Sequence, residues 1–193
     1  MKVVFLDIDG VLNEEKSRSH CCGYKGIDDK KVENLAKIIK TTNAAIVLIS
    51  TWKDDWFRPS LIFPEYRKQG ILGTYLNKKM KKQGLCIFDK TESVDKVSGM
   101  HFSRGESIVQ YLRRNNVKEF VILDDYQFDY DSCGLTNYHI KTDAYNGGLT
   151  EGLAVEAITV LPDPLSLSHI SDIQKKLLQY GYPIHNRKHR TNV

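Results

Sequence analysis

The sequence predicts an α/β fold built on a parallel sheet, and three observations carry the prediction. The apolar runs Lys2 to Leu6, 44–50 and 120–123 are short, rich in valine and isoleucine, and suited to strands buried on both faces. Segments of helical periodicity lie between them, so strand, helix and strand follow one another as a crossover unit requires. Each run also ends in residues that carry chemistry, and ligands in open parallel sheets bind beyond the carboxyl ends of the strands.

The first strand lies in MKVVFLDIDGVLN and is expected to end at Asp7. Residues two apart on an extended strand point the same way, so Asp7 and Asp9 can converge while Gly10 lets the backbone turn away. Converging carboxylates repel unless a cation separates them, and a hard ion such as Mg²⁺ prefers oxygen ligands. Two solvated turn residues after an edge strand are the plainer account of a DxD taken alone. The polar stretch 13–27 reads as a loop or short hairpin over this strand end. Asp28 or Asp29 then caps a helix with Val32, Leu35, Ala36, Ile38 and Ile39 at helical spacing, ending near Thr42–Asn43.

The second strand, 44–50, runs into Ser50-Thr51-Trp52-Lys53. If it neighbours the first, Ser50 sits beside Asp7, where its hydroxyl can donate to a phosphate oxygen. Ser50 is equally a natural N-cap, and a helix N-terminus is itself an anion site. GTYLNKKMKKQG follows as a short amphipathic helix with Tyr75, Leu76 and Met80 inward and lysines outward, then a third strand at 85–88 and a polar loop. Residues 103–116 form a helix with a capping box from Ser103 and Glu106 and a buried face of Ile108, Val109, Tyr111 and Leu112. Arg104 stands in its first turn, where the helix dipole disfavours a cation. It is either an exposed arginine or one aimed at an anion bound beyond the strand ends.

Phe120 to Leu123 is a further strand, stopping at Asp124-Asp125 with Asp129 just beyond. TNYHIKTD resembles a fifth strand, and Asn146-Gly147-Gly148 a turn. A helix begins at Thr150 or Glu151, with Leu153, Val155, Ala157, Ile158 and Leu161 on or near its inner face, and stops at Pro162 and Pro164. A last amphipathic helix, Ser168 to Tyr180, precedes a basic tail.

The chain's 193 residues suffice for a single core, and 27% charged with 41% hydrophobic residues is ordinary for a globular protein. No stretch approaches the roughly 18 consecutive apolar residues of a membrane span, and an acidic motif stands where a signal peptide would be apolar. A cytoplasmic protein with no membrane partner is expected. Cys21, Cys22, Cys86 and Cys133 show no CxxC spacing, so neither a zinc site nor a disulfide framework is signalled. The formal charge of +4 is uneven, with basic clusters at 76–84 and 185–190 that read first as solvated faces.

DIDGV at 7–11, the strand-terminal Ser50, Arg104 at its helix start and LDDYQFD at 123–129 together resemble motifs one to four of the haloacid dehalogenase (HAD) superfamily of phosphohydrolases. ISTWK, RGESIVQYL, VILDD and KTDAYNGGLTEGLAVEAITVL are similar to the HAD domains of Swiss Army Knife RNA-repair proteins. The likeness spans roughly residues 2–160. It implies a three-layer Rossmann-like fold with the first strand central and little or no cap domain. A catalytic domain would occupy 1–165, with 166–193 a C-terminal helix and basic tail packed on, or trailing from, the same domain. It implies that Asp7 attacks phosphorus to form an aspartyl-phosphate and that Asp9 protonates the leaving oxygen and then activates water. Mg²⁺ would bind Asp7, the Asp9 carbonyl and Asp125, with Asp124 and Asp129 as alternates. Ser50 would hold the transferring phosphoryl group, with Thr51 and Lys53 as further substrate contacts. Arg104 stands where the family places a lysine, which leaves Lys96 or Lys53 as alternatives for that role. The expected partner is a phosphorylated substrate, with a nucleic-acid end fitting an open site and lysine-rich flanks. A HAD-like regulatory protein with weak turnover and a nucleic-acid-binding module are the competing readings.

Overall fold

The computed structural model describes residues 1–58, 69–94 and 98–161. Lys96, the boundary at 165, the helix expected at 168–180 and the basic cluster at 185–190 lie outside the described residues. The elements run β1 (Lys2–Leu6), β2 (His20–Cys21), β3 (Tyr24–Lys25), α1 (Asp29–Thr42), β4 (Ala45–Leu48), α2 (Ile71–Lys82), β5 (Ile87–Lys90), α3 (Arg104–Arg114), β6 (Glu119–Asp124), β7 (His139–Lys141) and α4 (Glu151–Val160). Five strands form one sheet in the order β5-β4-β1-β6-β7, parallel throughout. β1 is central, as the Rossmann-like reading requires.

Strand alternation divides the core into two layers. Val4 and Leu6 of β1, Ile46 and Leu48 of β4 and Val121 and Leu123 of β6 pack on one face with residues of α1, α2 and α4. Val3, Phe5, Val47, Phe120 and Ile122 face the other way, onto Ile108, Val109 and Tyr111 of α3. Phe5 meets Tyr111 and Phe120 edge-on, with ring centroids 5.6 and 5.7 Å apart, a geometry aromatic quadrupoles favour. The result is a helix–sheet–helix sandwich.

The helix ends follow their sequence signals. Ser103 and Glu106 complete the capping box of α3, and Thr150 caps α4 by accepting from the Leu153 amide. α1 ends at Asn43, which takes the left-handed conformation that asparagine tolerates. Small differences from the sequence expectation occur at element ends. β1 stops at Leu6, one residue before Asp7, and the third strand sits at 87–90 rather than 85–88. Val155, expected near the inner face of α4, is 59% exposed, while Ala154 is buried in its place and Ala157 is buried as expected. The helix is apolar around much of its circumference, so periodicity alone did not choose its inner stripe. The stretch after β1 carries only the β2–β3 hairpin, well short of a cap domain. Among the described residues no helix is long and apolar enough to cross a membrane.

Candidate active site

The register of the sheet builds the site. Leu6 pairs with Leu48 on one side and Leu123 on the other, so the three chemically marked strand ends lie level. The Asp7 amide donates to the Leu123 carbonyl at 2.9 Å, carrying the ladder one residue past β1. Asp7 keeps the alternation of Val3 and Phe5, and Asp124 that of Phe120 and Ile122. Both carboxylates therefore fall on the face covered by α3, whose first residue is Arg104.

Arg104 closes that geometry. Its Nη1 lies 3.2 Å from Asp7 Oδ1 and donates to Asp124 Oδ2 at 2.8 Å. Burial opposes its charge, but Asp7 and Asp124 outweigh burial and hold the guanidinium protonated more firmly than usual. The arginine that the dipole disfavoured is thus placed by two carboxylates. Asp124, fully buried, also accepts from the Tyr130 hydroxyl at 2.7 Å and, through Oδ1, from the Tyr126 amide at 3.0 Å.

Asp7 is 5% exposed. Burial raises its carboxyl to about 7, with Asp124 adding to the rise and Arg104 and a Ser50 hydrogen bond opposing it. Asp125 is raised by burial and by Asp124. Asp7, Asp124 and Asp125 each offer an oxygen, all within 4.8 Å of one another. One arginine does not balance three carboxylates, and this all-oxygen, anion-rich set fits a hard divalent cation. Both oxygens of Asp124 already hold donors, so Asp7 and Asp125 are the freer ligands. The approach of Asp125 depends on Gly10, which has φ +72° and whose absent Cβ would lie 2.2 Å from Asp125 Oδ2. Gly10→Ala is expected to cost about 1–3 kcal/mol of stability and to displace Asp125. A lower urea midpoint together with weaker Mg²⁺ binding by calorimetry checks both effects.

The side-chain carboxylate of Asp9 does not join that cluster. β1 has ended before it, so strand alternation no longer governs its direction, and its exposed carboxylate is held elsewhere. Asn13 Nδ2 donates to Oδ1 at 2.8 Å and Trp52 Nε1 to Oδ2 at 3.0 Å. Asn13 is fixed in turn by the Gly10 amide, 2.9 Å from its Oδ1, and by the Lys25 carbonyl of the hairpin. Asp129, an alternate ligand by resemblance, is committed to the start of α3, accepting from the Ser103 hydroxyl and, at 2.8 Å, from the Gly105 amide. Despite its burial these donors hold its carboxyl below the usual range.

Ser50 is buried beside Asp7 and also serves as an N-cap, accepting from the Trp52 amide at 3.3 Å as the short 3₁₀ turn Thr51–Asp54 begins. Lys53, 8% exposed, donates to Thr91 Oγ1 at 3.1 Å. Burial lowers its ammonium to about 8, Asp54 and Asp7 resisting and Arg104 and Lys90 assisting. The unfolded chain keeps that proton up to its ordinary value of 10.5, so between pH 8 and 10.5 it binds more protons than the native state. Lys53 therefore contributes a rise in stability with pH across that window. Lys53→Met is expected to abolish the increment, read as the difference between two pH series of urea unfolding.

Beside the acidic centre lies a cavity of about 510 Å³ whose walls include Thr51, Lys53, Arg104, Phe102, Tyr126 and Phe128. Sequence reasoning reached Asp7, Ser50, Lys53, Arg104, Asp124 and Asp125, which the structure brings to this end of the sheet. It missed Asn13 and Trp52, which hold the Asp9 carboxylate, and Tyr130, which holds Asp124; none carries a spacing signal of its own. Residues 3–154 match the family model described as the HAD domain in Swiss Army Knife RNA repair proteins. No curated protein and no solved structure matches the chain.

Proposed function

Because the chain belongs to the family of HAD domains in Swiss Army Knife RNA repair proteins, we propose that it is a Mg²⁺-dependent phosphomonoester hydrolase acting through an aspartyl-phosphate on Asp7. Nucleotide or polynucleotide ends are its proposed substrates. Family membership implies phosphatase-type hydrolysis. The observation that supports the assignment to these residues is the meeting of a buried Asp7 with Arg104 and two further carboxylates at one strand end.

An Asp7 oxygen attacks phosphorus as the bond to the leaving oxygen breaks, and Asp9 gives that oxygen its proton. Water then attacks phosphorus and yields a proton to Asp9. The bond between phosphorus and the Asp7 oxygen breaks, releasing inorganic phosphate and restoring both carboxyl groups. Asn13 and Trp52 hold each oxygen of Asp9, so the acid–base group is oriented before substrate arrives. Arg104 offers fixed positive charge to the equatorial oxygens, and Ser50 with the turn it caps offers hydroxyl and amide donors, which a loose phosphoryl-transfer transition state needs. Asp7, Asp124 and Asp125 would hold Mg²⁺, which would supply the charge neutralisation that a dianionic substrate needs at this acidic centre.

The test is phosphate release from a small aryl phosphate and from 5′- and 3′-phosphorylated oligonucleotides, with Mg²⁺ and with a chelator. Release that requires the metal is expected. Absence of release from every substrate would favour the regulatory or binding readings instead.

A further inference from the structure

The 510 Å³ cavity is larger than a phosphoryl group needs and falls within the span of about 300–1,000 Å³ typical of small-molecule sites. It shares Lys53 and Arg104 with the acidic centre, so whatever fills it lies next to the transferring phosphoryl group. Its walls carry three aromatic side chains, Phe102, Tyr126 and Phe128. Tyr126 is 63% and Phe128 43% exposed, and their rings meet edge-on at 4.9 Å. A pair of large rings left to solvent beside a reaction centre is unusual where single exposed rings are not.

Phe128 adds an independent observation. Its φ is +40°, a backbone region that bulky residues rarely occupy and that persists only where surrounding structure enforces it. Its ring also carries the Arg104 guanidinium, 4.1 Å from the centroid. The strained residue thus links the cation that faces Asp7 to the aromatic wall of the cavity. The hydroxyls of Thr51 and Ser93 complete a lining suited to a ring attached to a sugar.

Resting on the phosphatase reading above, we propose that this cavity is the leaving-group subsite and receives the nucleoside that bears the phosphate, with its base against Tyr126 and Phe102. Base–aromatic stacking tolerates any base because each presents a π face, so the subsite selects a nucleoside over a bare sugar without reading sequence. A phenolic leaving group is the competing occupant.

Binding separates this proposal from turnover. Asp7→Asn protein in Mg²⁺ is titrated calorimetrically with nucleoside 5′- and 3′-monophosphates, ribose 5-phosphate and phenyl phosphate. At least one nucleotide is expected to bind about tenfold or more tighter than ribose 5-phosphate. Adding Tyr126→Leu or Phe102→Leu is expected to erase most of that preference while circular dichroism shows the fold kept. Equal affinity for nucleotide and sugar phosphate, or a preference that survives both substitutions, overturns the proposal. Tighter binding of phenyl phosphate than of any nucleotide assigns the cavity to aryl groups and also overturns it. Native protein that hydrolyses an aryl phosphate while its Asp7→Asn form shows no nucleotide preference keeps the phosphatase reading and loses this one. Nucleotide preference without any turnover leaves nucleoside binding at the cavity but overturns its role as a leaving-group subsite together with the phosphatase reading.

Discussion

Asp7→Asn protein is expected to lose phosphate release by about 10⁴-fold or more, because the group that would bond to phosphorus is gone. The same substitution is expected to stabilise the metal-free fold. Burial holds the Asp7 carboxyl near 7 against an ordinary 3.8, so between those values the unfolded chain has released a proton that the native chain keeps. Native stability therefore falls as pH rises through that window and levels off above about 7. Asparagine carries no such charge into the interior. In chelator, the urea midpoint of Asp7→Asn should exceed that of the native protein at pH 8, with a smaller gap at pH 5. Retained turnover would show that Asp7 is not the nucleophile, and a lower midpoint at pH 8 would show that it is not a destabilising buried charge.

Arg104→Met is expected to damage stability most. One nitrogen of Arg104 serves both Asp7 and Asp124, and its removal leaves a fully buried carboxylate without its counter-charge. Breaking one side of a buried ion pair costs about 3–5 kcal/mol, and the loss should be larger at pH 8 than at pH 5, where Asp7 holds its proton. Turnover should fall by about 10²–10³-fold, as when one preorganised donor to a developing charge is removed. Arg104→Lys should recover part of both effects, since an ammonium can carry the charge but does not reproduce the guanidinium fork or its contact with the Phe128 ring. Unchanged midpoints and turnover in Arg104→Met, alongside a large loss in Lys53→Met, would move the phosphate-facing role to Lys53.

The contrast between Asp7 and Asp9 shows where sequence reading succeeds. Alternation along β1 and β6 carries Asp7 and Asp124 onto the face of α3, and that pattern is written in the apolar residues before them. The misfit of a cation with the α3 dipole marked Arg104 for the same reason: a local rule was broken in favour of a partner elsewhere. Asp9 lies past the strand, where periodicity ends. Its direction is set by an indole from the turn after β4 and an amide anchored to the hairpin, contacts made through tertiary closure. Tyr130 and Asp129 diverge likewise, one reaching Asp124 and the other capping α3 from a loop with no repeat. The exposed Val155 belongs with them, because an apolar helix surface does not declare which side its neighbours cover.

The central position of β1 also bears on how the chain is made. Leu6 leaves the ribosome well before Leu123, its partner on one side. At about 5–20 residues per second, translation supplies that partner on the order of ten seconds later. Until then the central strand of the sheet has one unpaired edge, and Asp7 lacks both Asp124 and Arg104. The nascent chain therefore passes through an interval in which it is open to wrong strand pairing and carries an incomplete acidic site. Enzyme activity appearing during synthesis would report the docking of β6 rather than the folding of the first half.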